Sequence, residues 1–367
     1  MKSEKVFKKV FKGVDSLYIS YRGLLREGVK EYLEEKKRLA QSDDETDRAM
    51  SRMVINFHLF EVKDRGTKGY SFILVDNWYR IQISGSERKA LPTIYVQISS
   101  ELLTGHGPED AMIRLRKVVK KLLVKIEDET VSRADLFVDF TTNEKLEDIK
   151  SISWITRAKK LAVYRYCDAF TGLVIGQGGE ISARIYDKTS EIGESHKYYL
   201  KEIWEKRGWD TVQKVWRLEF QLRRVCLKEM SINTFSNLME KVNSLWVYCS
   251  KDWLRLAVKD DTVNRTRWMT NPMWKKVQGV RINDGKLVGV LREVDKSRVP
   301  SDKTIFQNGM GYLTSFAAKE GFKNVNNETV ASFLDIGKKY LEGLTNGKEE
   351  DYLKMKINNK KKKYNKE

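Results

Sequence analysis

Histidine and cysteine are scarce in this chain, and neither occurs in a pattern that does chemistry. Three histidines, His58, His106 and His196, stand far apart among 367 residues. A His-x-His metal site and a zinc-protease helix are thereby excluded. Cys167, Cys226 and Cys249 are odd in number, widely spaced and without a Cys-x-x-Cys pair. They read as reduced, structural thiols of a cytoplasmic protein. No run approaches the roughly 18 apolar residues that a membrane-spanning helix needs. Residues 1–12 alternate charge and bulk and lack the apolar core of a signal peptide. A soluble intracellular protein with no membrane partner is expected. The glycine-rich stretch 172–179 (GLVIGQGG) lacks the Gly-Lys-Ser/Thr ending of a phosphate loop, and a hairpin turn explains it better. No internal repeat is present.

What the chain does have is positive charge on a foldable background. Lys plus Arg number 69 against 51 Asp plus Glu, a net charge of +18, and 41% of residues are hydrophobic. That length supports one large domain or two ordinary ones. The surplus favours a polyanionic partner, nucleic acid ahead of an anionic membrane, against the plain alternative of a merely basic surface.

Hydrophobic patterning predicts strands over 13–21, 53–63, 70–84 and 93–99, and helices over 24–39 and 108–124. Residues 41–48 read as a loop or short exposed helix. A strand over 131–140 and a helix over 145–160 follow. Then come a hairpin of 161–166 with 173–176, a strand through 182–188, a helix over 196–207 closed by Gly208, and a strand over 216–222. A long amphipathic helix over 236–258 ends this part. After 259 strand content falls away, and helices are expected over 271–277, 304–319 and 328–344, the last two resembling a helix–turn–helix pair. The lysine-rich end is expected to be disordered. The fold class is thus α+β, a mainly antiparallel central sheet with flanking helices followed by a small helical C-terminal region. Its divisions are 1–258, 259–346 (a candidate DNA-binding region) and a basic disordered tail, 347–367. On the 108–124 helix a nearly all-positive face, including Lys117 and Lys121, suits either solvent or phosphates.

Three strands carry charge where burial makes charge costly. Side chains alternate along a strand, so Arg133, Asp135, Phe137 and Asp139 share one face. By the same rule Arg184, Tyr186 and Lys188 share a face, as do Arg217, Glu219 and Gln221. If the strands are neighbours, acids, bases and one tyrosine converge. Asp135, Asp139 and Glu219 are hard oxygen ligands suited to Mg²⁺ or Mn²⁺. Arg184 and Lys188 beside Tyr186 suit a phosphate. A phenol, with its ordinary pKa near ~10, attacks only if cations stabilise the phenolate. This combination is what phosphotyrosyl transfer on DNA requires. The plain alternative is a set of ion pairs around a packing tyrosine.

The segments RADLFVDF (133–140), ARIYDKTSEI (183–192) and WRLEFQLRR (216–224), with GVDSLYISY (13–21) ahead of them, resemble the replication-initiation-factor (Rep_trans) family. Its members initiate rolling-circle replication of plasmids, phages and integrative elements. The resemblance spans roughly residues 13–258. It implies a metal-dependent endonuclease that nicks origin DNA at one site, joins a tyrosine to the 5′ phosphate and frees a 3′ hydroxyl primer. By motif match Tyr186 would be the nucleophile, Asp135, Glu219 and Asp139 the metal ligands, and Lys188 and Arg184 the holders of the scissile phosphate. Arg133, Arg217, Arg223, Lys117 and Lys121 are the candidate DNA contacts. Double-stranded origin DNA and single-stranded DNA are the implied partners, with a host helicase and a homodimer left open. Two alternatives stand beside this reading: a mobilisation relaxase nicking a transfer origin, and a non-catalytic DNA-binding regulator.

Overall fold

Eighteen residues, Lys8–Leu25, form the first strand, β1, in the computed structural model, which describes residues 7–85, 91–293 and 300–364. Leu17, Ile19 and Tyr21 are buried on one face, and Tyr18, Ser20 and Arg22 alternate with them on the other. Because β1 outruns the expected 13–21, helix α1 (Val29–Ala40) starts later than residue 24. The short helix α2 (Glu45–Met50) is capped by Asp44, whose carboxylate accepts the N–H groups of Thr46 and Asp47.

Two expected strands are instead hairpins. Residues 53–63 divide into β2 (Met53–Ile55) and β3 (His58–Val62) at Asn56 and Phe57, both left-handed with φ 48° and 68°. Residues 70–84 divide into β4 (Phe72–Val75) and β5 (Tyr79–Ile83), where the Asp76 carboxylate accepts the N–H groups of Trp78 and Tyr79. After β6 (Ile94–Ile98), helix α3 (Ser100–Leu122) kinks at Gly107, and Pro108 opens its second segment. It runs straight into β7 (Leu123–Thr141), far longer than the expected 131–140.

The expected helix over 145–160 does not form. Two 3₁₀ turns lead into β8 (Trp154–Thr156), which gains a strand partner further along the chain. Strands β9 (Leu161–Tyr166), β10 (Ala169–Ile175) and β11 (Ile181–Asp187) are hairpin-connected, and the glycine-rich stretch runs from the end of β10 into a turn with left-handed Gly176 and Gly178. Helix α4 (Lys188–Ser195) was not foreseen, whereas α5 (Tyr199–Lys206) and its closing Gly208 match. Strand β12 (Trp216–Arg223), α6 (Arg224–Glu229) and α7 (Phe235–Val247) follow. A π turn over Tyr248–Trp253 ends α7, so the helix expected to reach 258 gives way to β13 (Leu254–Leu256), the partner of β8. Then come α8 (Pro272–Gln278), α9 (Asp302–Lys319), α10 (Asn327–Thr345) and α11 (Glu349–Tyr364). That last helix replaces the expected disordered tail. Acids fill its first turn and lysines its end, which suits the helix dipole, and Lys354 faces Glu350 one turn away.

The chain is α+β. Among the described residues eleven strands form one sheet in the order β2-β3-β4-β5-β6-β1-β7-β12-β11-β10-β9, with antiparallel pairing throughout the described ladders. The long β1–β7 ladder runs from Lys8 opposite Thr141 to Leu25 opposite Leu123 and forms the spine. The main core joins the buried face of this sheet to α3, α7 and α8 through residues such as Leu17, Ile19, Met112, Leu115, Phe220, Trp246 and Trp274. The other face holds a smaller cluster of Phe11, Phe137, Ile192, Leu200 and Trp204 under α4 and α5. Two compact units divide at 292/293. The expected boundary at 258 fails because Trp268, Met273, Trp274, Val277 and Ile282 are buried within the first unit. The second unit contains α9, α10 and α11, with Phe316 stacked on Phe322 and edge-on to Phe333. Among the described residues no helix is long and apolar enough to cross a membrane.

Candidate functional site

The register of three neighbouring strands assembles the site. Across the β7–β12 ladder Arg217 lies opposite Asp139, Glu219 opposite Phe137 and Arg223 opposite Arg133. Across β12–β11, Arg184 lies opposite Glu219 and Tyr186 opposite Arg217. Cross-strand partners are the closest side chains on a sheet face, so the segments 133–139, 184–186 and 217–219 meet as expected.

They meet as two clusters. In the first, Arg217 grips Asp139 through both carboxylate oxygens, Nε to Oδ1 at 2.6 Å and Nη2 to Oδ2 at 2.7 Å. Its Nη1 donates to Asp15 Oδ1 at 2.6 Å, and Trp204 Nε1 donates to Asp139 Oδ2 at 3.0 Å. The guanidinium lies 3.9 Å from the centre of the Phe137 ring. Arg217 and Asp139 are both buried. Two expectations fail as a result: Asp139 is sealed by a buried guanidinium and a buried indole and is closed to a metal, and Arg217 cannot reach DNA. Such a pair is structural, and removing one partner leaves an uncompensated buried charge. Asp15 sits where β1 and β7 slip register between Val14 and Ser16, and a bulge of this kind re-aims a side chain.

The second cluster holds the reactive groups. Arg133 Nε donates to Asp135 Oδ1 at 2.8 Å, and its Nη2 bonds the other oxygen. Nη2 of Arg184 reaches both Asp135 Oδ2, at 3.3 Å, and Glu219 Oε1. The Tyr186 hydroxyl donates to Glu219 Oε2 at 3.4 Å. Asp135 and Glu219 are buried, whereas the Arg184 side chain is 38% exposed. Burial, with the carboxylates of Asp15 and Asp135 next, pushes the Glu219 carboxyl up to about 8 against the pull of Arg184 and Arg217. Burial and then Glu219 push the Tyr186 phenol well above its ordinary value. In this low-dielectric site burial is the largest influence on Glu219, and the two arginines beside it do not offset burial and the neighbouring carboxylates together.

The remaining expected residues scatter. Lys188 is buried at the start of α4, its Nζ 5.6 Å from the centre of the Tyr186 ring and tied to Glu191. It lies beside the tyrosine, as expected, but its ammonium is committed to a carboxylate and not free for phosphate. Lys117 and Lys121 are exposed on α3, away from this cluster, where neighbouring Arg114 and Arg116 are paired with Asp110 and Glu129. Arg223 is exposed at the end of β12. Asp139 does not join Asp135 and Glu219, and among the described residues no group of three or more His, Cys, Asp or Glu side chains is arranged to hold a metal ion. Sequence reading missed Asp15 and Trp204. An acid inside the apolar strand GVDSLYISY was the available signal for the first, and Trp204 left none.

No family model matches this chain, and a search of curated proteins found no match. Among solved structures the chain is similar to one titled "Structure of Rolling Circle Replication Initiator Protein from Geobacillus stearothermophilus", at 16% identity and a TM-score of 0.42, over 76% of this chain and 100% of that one. A likeness that weak carries no argument about function, which rests on the site itself.

Proposed function

We propose that the chain nicks DNA through Tyr186, as a site-specific initiator of rolling-circle replication. The observation that carries this reading is one convergence: a tyrosine hydroxyl 3.4 Å from a buried carboxylate, with a half-exposed arginine on the same carboxylate. In the step proposed, the Tyr186 oxygen forms a bond to the scissile phosphorus and the bond from phosphorus to the 3′ oxygen breaks. Above the pH of about 8 at which Glu219 ionises, its carboxylate takes the phenolic proton, and the leaving oxygen takes a proton from water to become a free 3′ hydroxyl. The DNA stays joined to Tyr186 through its 5′ phosphate. Arg184, the exposed cation of the cluster, moves from the carboxylates to the phosphate oxygens, which its planar fork suits. Lys188 and Arg217 act by shaping the pocket around the ring.

A divalent cation fits this donor set in a reduced form. Asp135 and Glu219 are buried hard oxygen donors that converge on the same nitrogen of Arg184, so one cation already sits between them. These two residues would hold Mg²⁺ or Mn²⁺, with Asp139 left out. When bound, such an ion polarises a phosphoryl oxygen.

A second reading has its own support. Every acid of the cluster is bonded to an arginine and the phenol is strongly protonated, which suits a structural network in a DNA-binding regulator. The two part cleanly in one experiment. Labelled single-stranded DNA incubated with the chain and Mn²⁺ should give a covalent adduct on a denaturing gel, and Tyr186→Phe should give none. An adduct that persists in Tyr186→Phe removes the nucleophile assignment, and its absence from the unaltered chain favours the regulator. A mobilisation relaxase would share the chemistry, and the DNA locus nicked tells it from an initiator.

A further inference from the structure

On the same sheet face, next to Asp135, lies a groove of about 660 Å³ whose walls include Tyr18, Tyr70, Tyr95, Arg133, Arg223 and Arg224. We propose that this groove is the track of the single DNA strand leading to the scissile phosphate; the proposal rests on the nicking reading for its direction, but not for its chemistry. Three observations converge. Tyr18, Tyr95 and Tyr70 form a row of half-buried rings with centroids 5.9 Å and 6.1 Å apart, an aromatic floor on the sheet face opposite the main core. Arginines rim that floor. Arg223 stands directly across the β7–β12 ladder from Arg133, and whereas Arg133 is held by Asp135, Arg223 is exposed at the strand end. Asp128, the acid at the edge, already accepts the Thr130 hydroxyl.

The groove is also tied to the candidate site. Arg133 lies 4.8 Å from the centre of the Tyr18 ring and holds Asp135 with its guanidinium. A chain lying along the tyrosines therefore arrives at Asp135 and Arg184. Stacking rings beside backbone-tracking cations are how proteins hold unpaired bases without reading their sequence. A duplex, whose bases are already stacked on one another, offers these rings nothing. Arg224 contributes rigidity, since its Nη1 is held by the carbonyls of Val131 and Ile232 at 3.0 Å and 2.9 Å.

The test is fluorescence anisotropy of the full chain with a labelled thymidine oligonucleotide and with a duplex of equal length, both in EDTA so that no cleavage occurs. Tyr70→Ala and Tyr95→Ala should each weaken single-strand binding about five- to a hundred-fold, and Tyr95→Phe, which keeps the ring, should stay within about two-fold. Arg223→Gln should lower the salt dependence of log affinity by roughly 0.7. Unchanged single-strand affinity in Tyr70→Ala and Tyr95→Ala would overturn the proposal, as would an equal loss for duplex and single strand. Tyr95→Phe also guards against a folding artefact, because loss in Tyr95→Phe equal to that in Tyr95→Ala would show that stacking is not the cause. If the alanine variants lose binding while the unaltered chain forms no adduct with Mn²⁺, the groove stands and the nicking reading falls. The reverse pattern rejects the groove alone.

Discussion

Replacing Glu219 by glutamine should make the protein more stable at alkaline pH while changing little at pH 5. Burial, followed by the carboxylates of Asp15 and Asp135, leaves Glu219 titrating at about 8, well above the ordinary 4.5. Between those values the folded chain holds a proton that the unfolded chain has released, so stability is full below about 4.5 and is lost as pH rises through about 8. At ~1.4 kcal/mol per pH unit, the span from 4.5 to about 8 corresponds to on the order of 5 kcal/mol without bound metal. Glutamine keeps the shape and carries no charge at any pH, so its curve lacks this slope. The assay is urea unfolding of both proteins in EDTA at pH 5 and pH 8.5, followed by tryptophan fluorescence. All nine tryptophans lie between residues 78 and 274, so the signal reports the first unit alone. The stability difference, variant minus unaltered chain, should grow by about 4 kcal/mol between the two pH values. A difference that stays constant would mean that Glu219 is ionised throughout and that burial does not raise its carboxyl.

Asp139→Ala should cost about 3–5 kcal/mol in the same unfolding assay, because it strands the buried Arg217; a loss under ~1 kcal/mol would show that water takes over the pairing. Tyr186→Phe should keep DNA affinity within about two-fold while abolishing the adduct, since it removes one hydroxyl and leaves the exposed arginines untouched; a parallel loss of binding would make Tyr186 a DNA contact instead. Excess EDTA should stop nicking and Mn²⁺ restore it, whereas undiminished nicking in EDTA removes the metal from the proposal. Deleting residues 349–367 should weaken DNA binding chiefly at low salt, as expected for screened lysine–phosphate attraction; a change in sequence preference instead would show that α11 reads bases.

Local chemistry made much of this protein legible. Strand periodicity put Arg133, Asp135 and Asp139 on one face, and likewise Arg184 with Tyr186 and Arg217 with Glu219. Gly208 and Pro108 marked the helix ends they were read to mark. Errors came where one pattern supports two structures. Runs such as 53–63 look continuous although Asn56 and Phe57 turn the chain back on itself, and the apolar spacing of 236–258 fits a helix until Leu254–Leu256 finds β8.

Which acid meets which base lay beyond the sequence. Residue types and strand faces were determined locally, because a side chain's direction depends only on its own backbone. The pairing of Arg217 with Asp139, 78 positions away, and with Asp15, 202 away, was decided only when sheet order and register were set. That choice made Asp139 and Arg217 into structure and left Glu219 with a proton, Arg184 half in solvent and Tyr186 beside them. Carboxylates are interchangeable along a chain; burial and the nearest cation tell them apart, and both are properties of the assembled sheet.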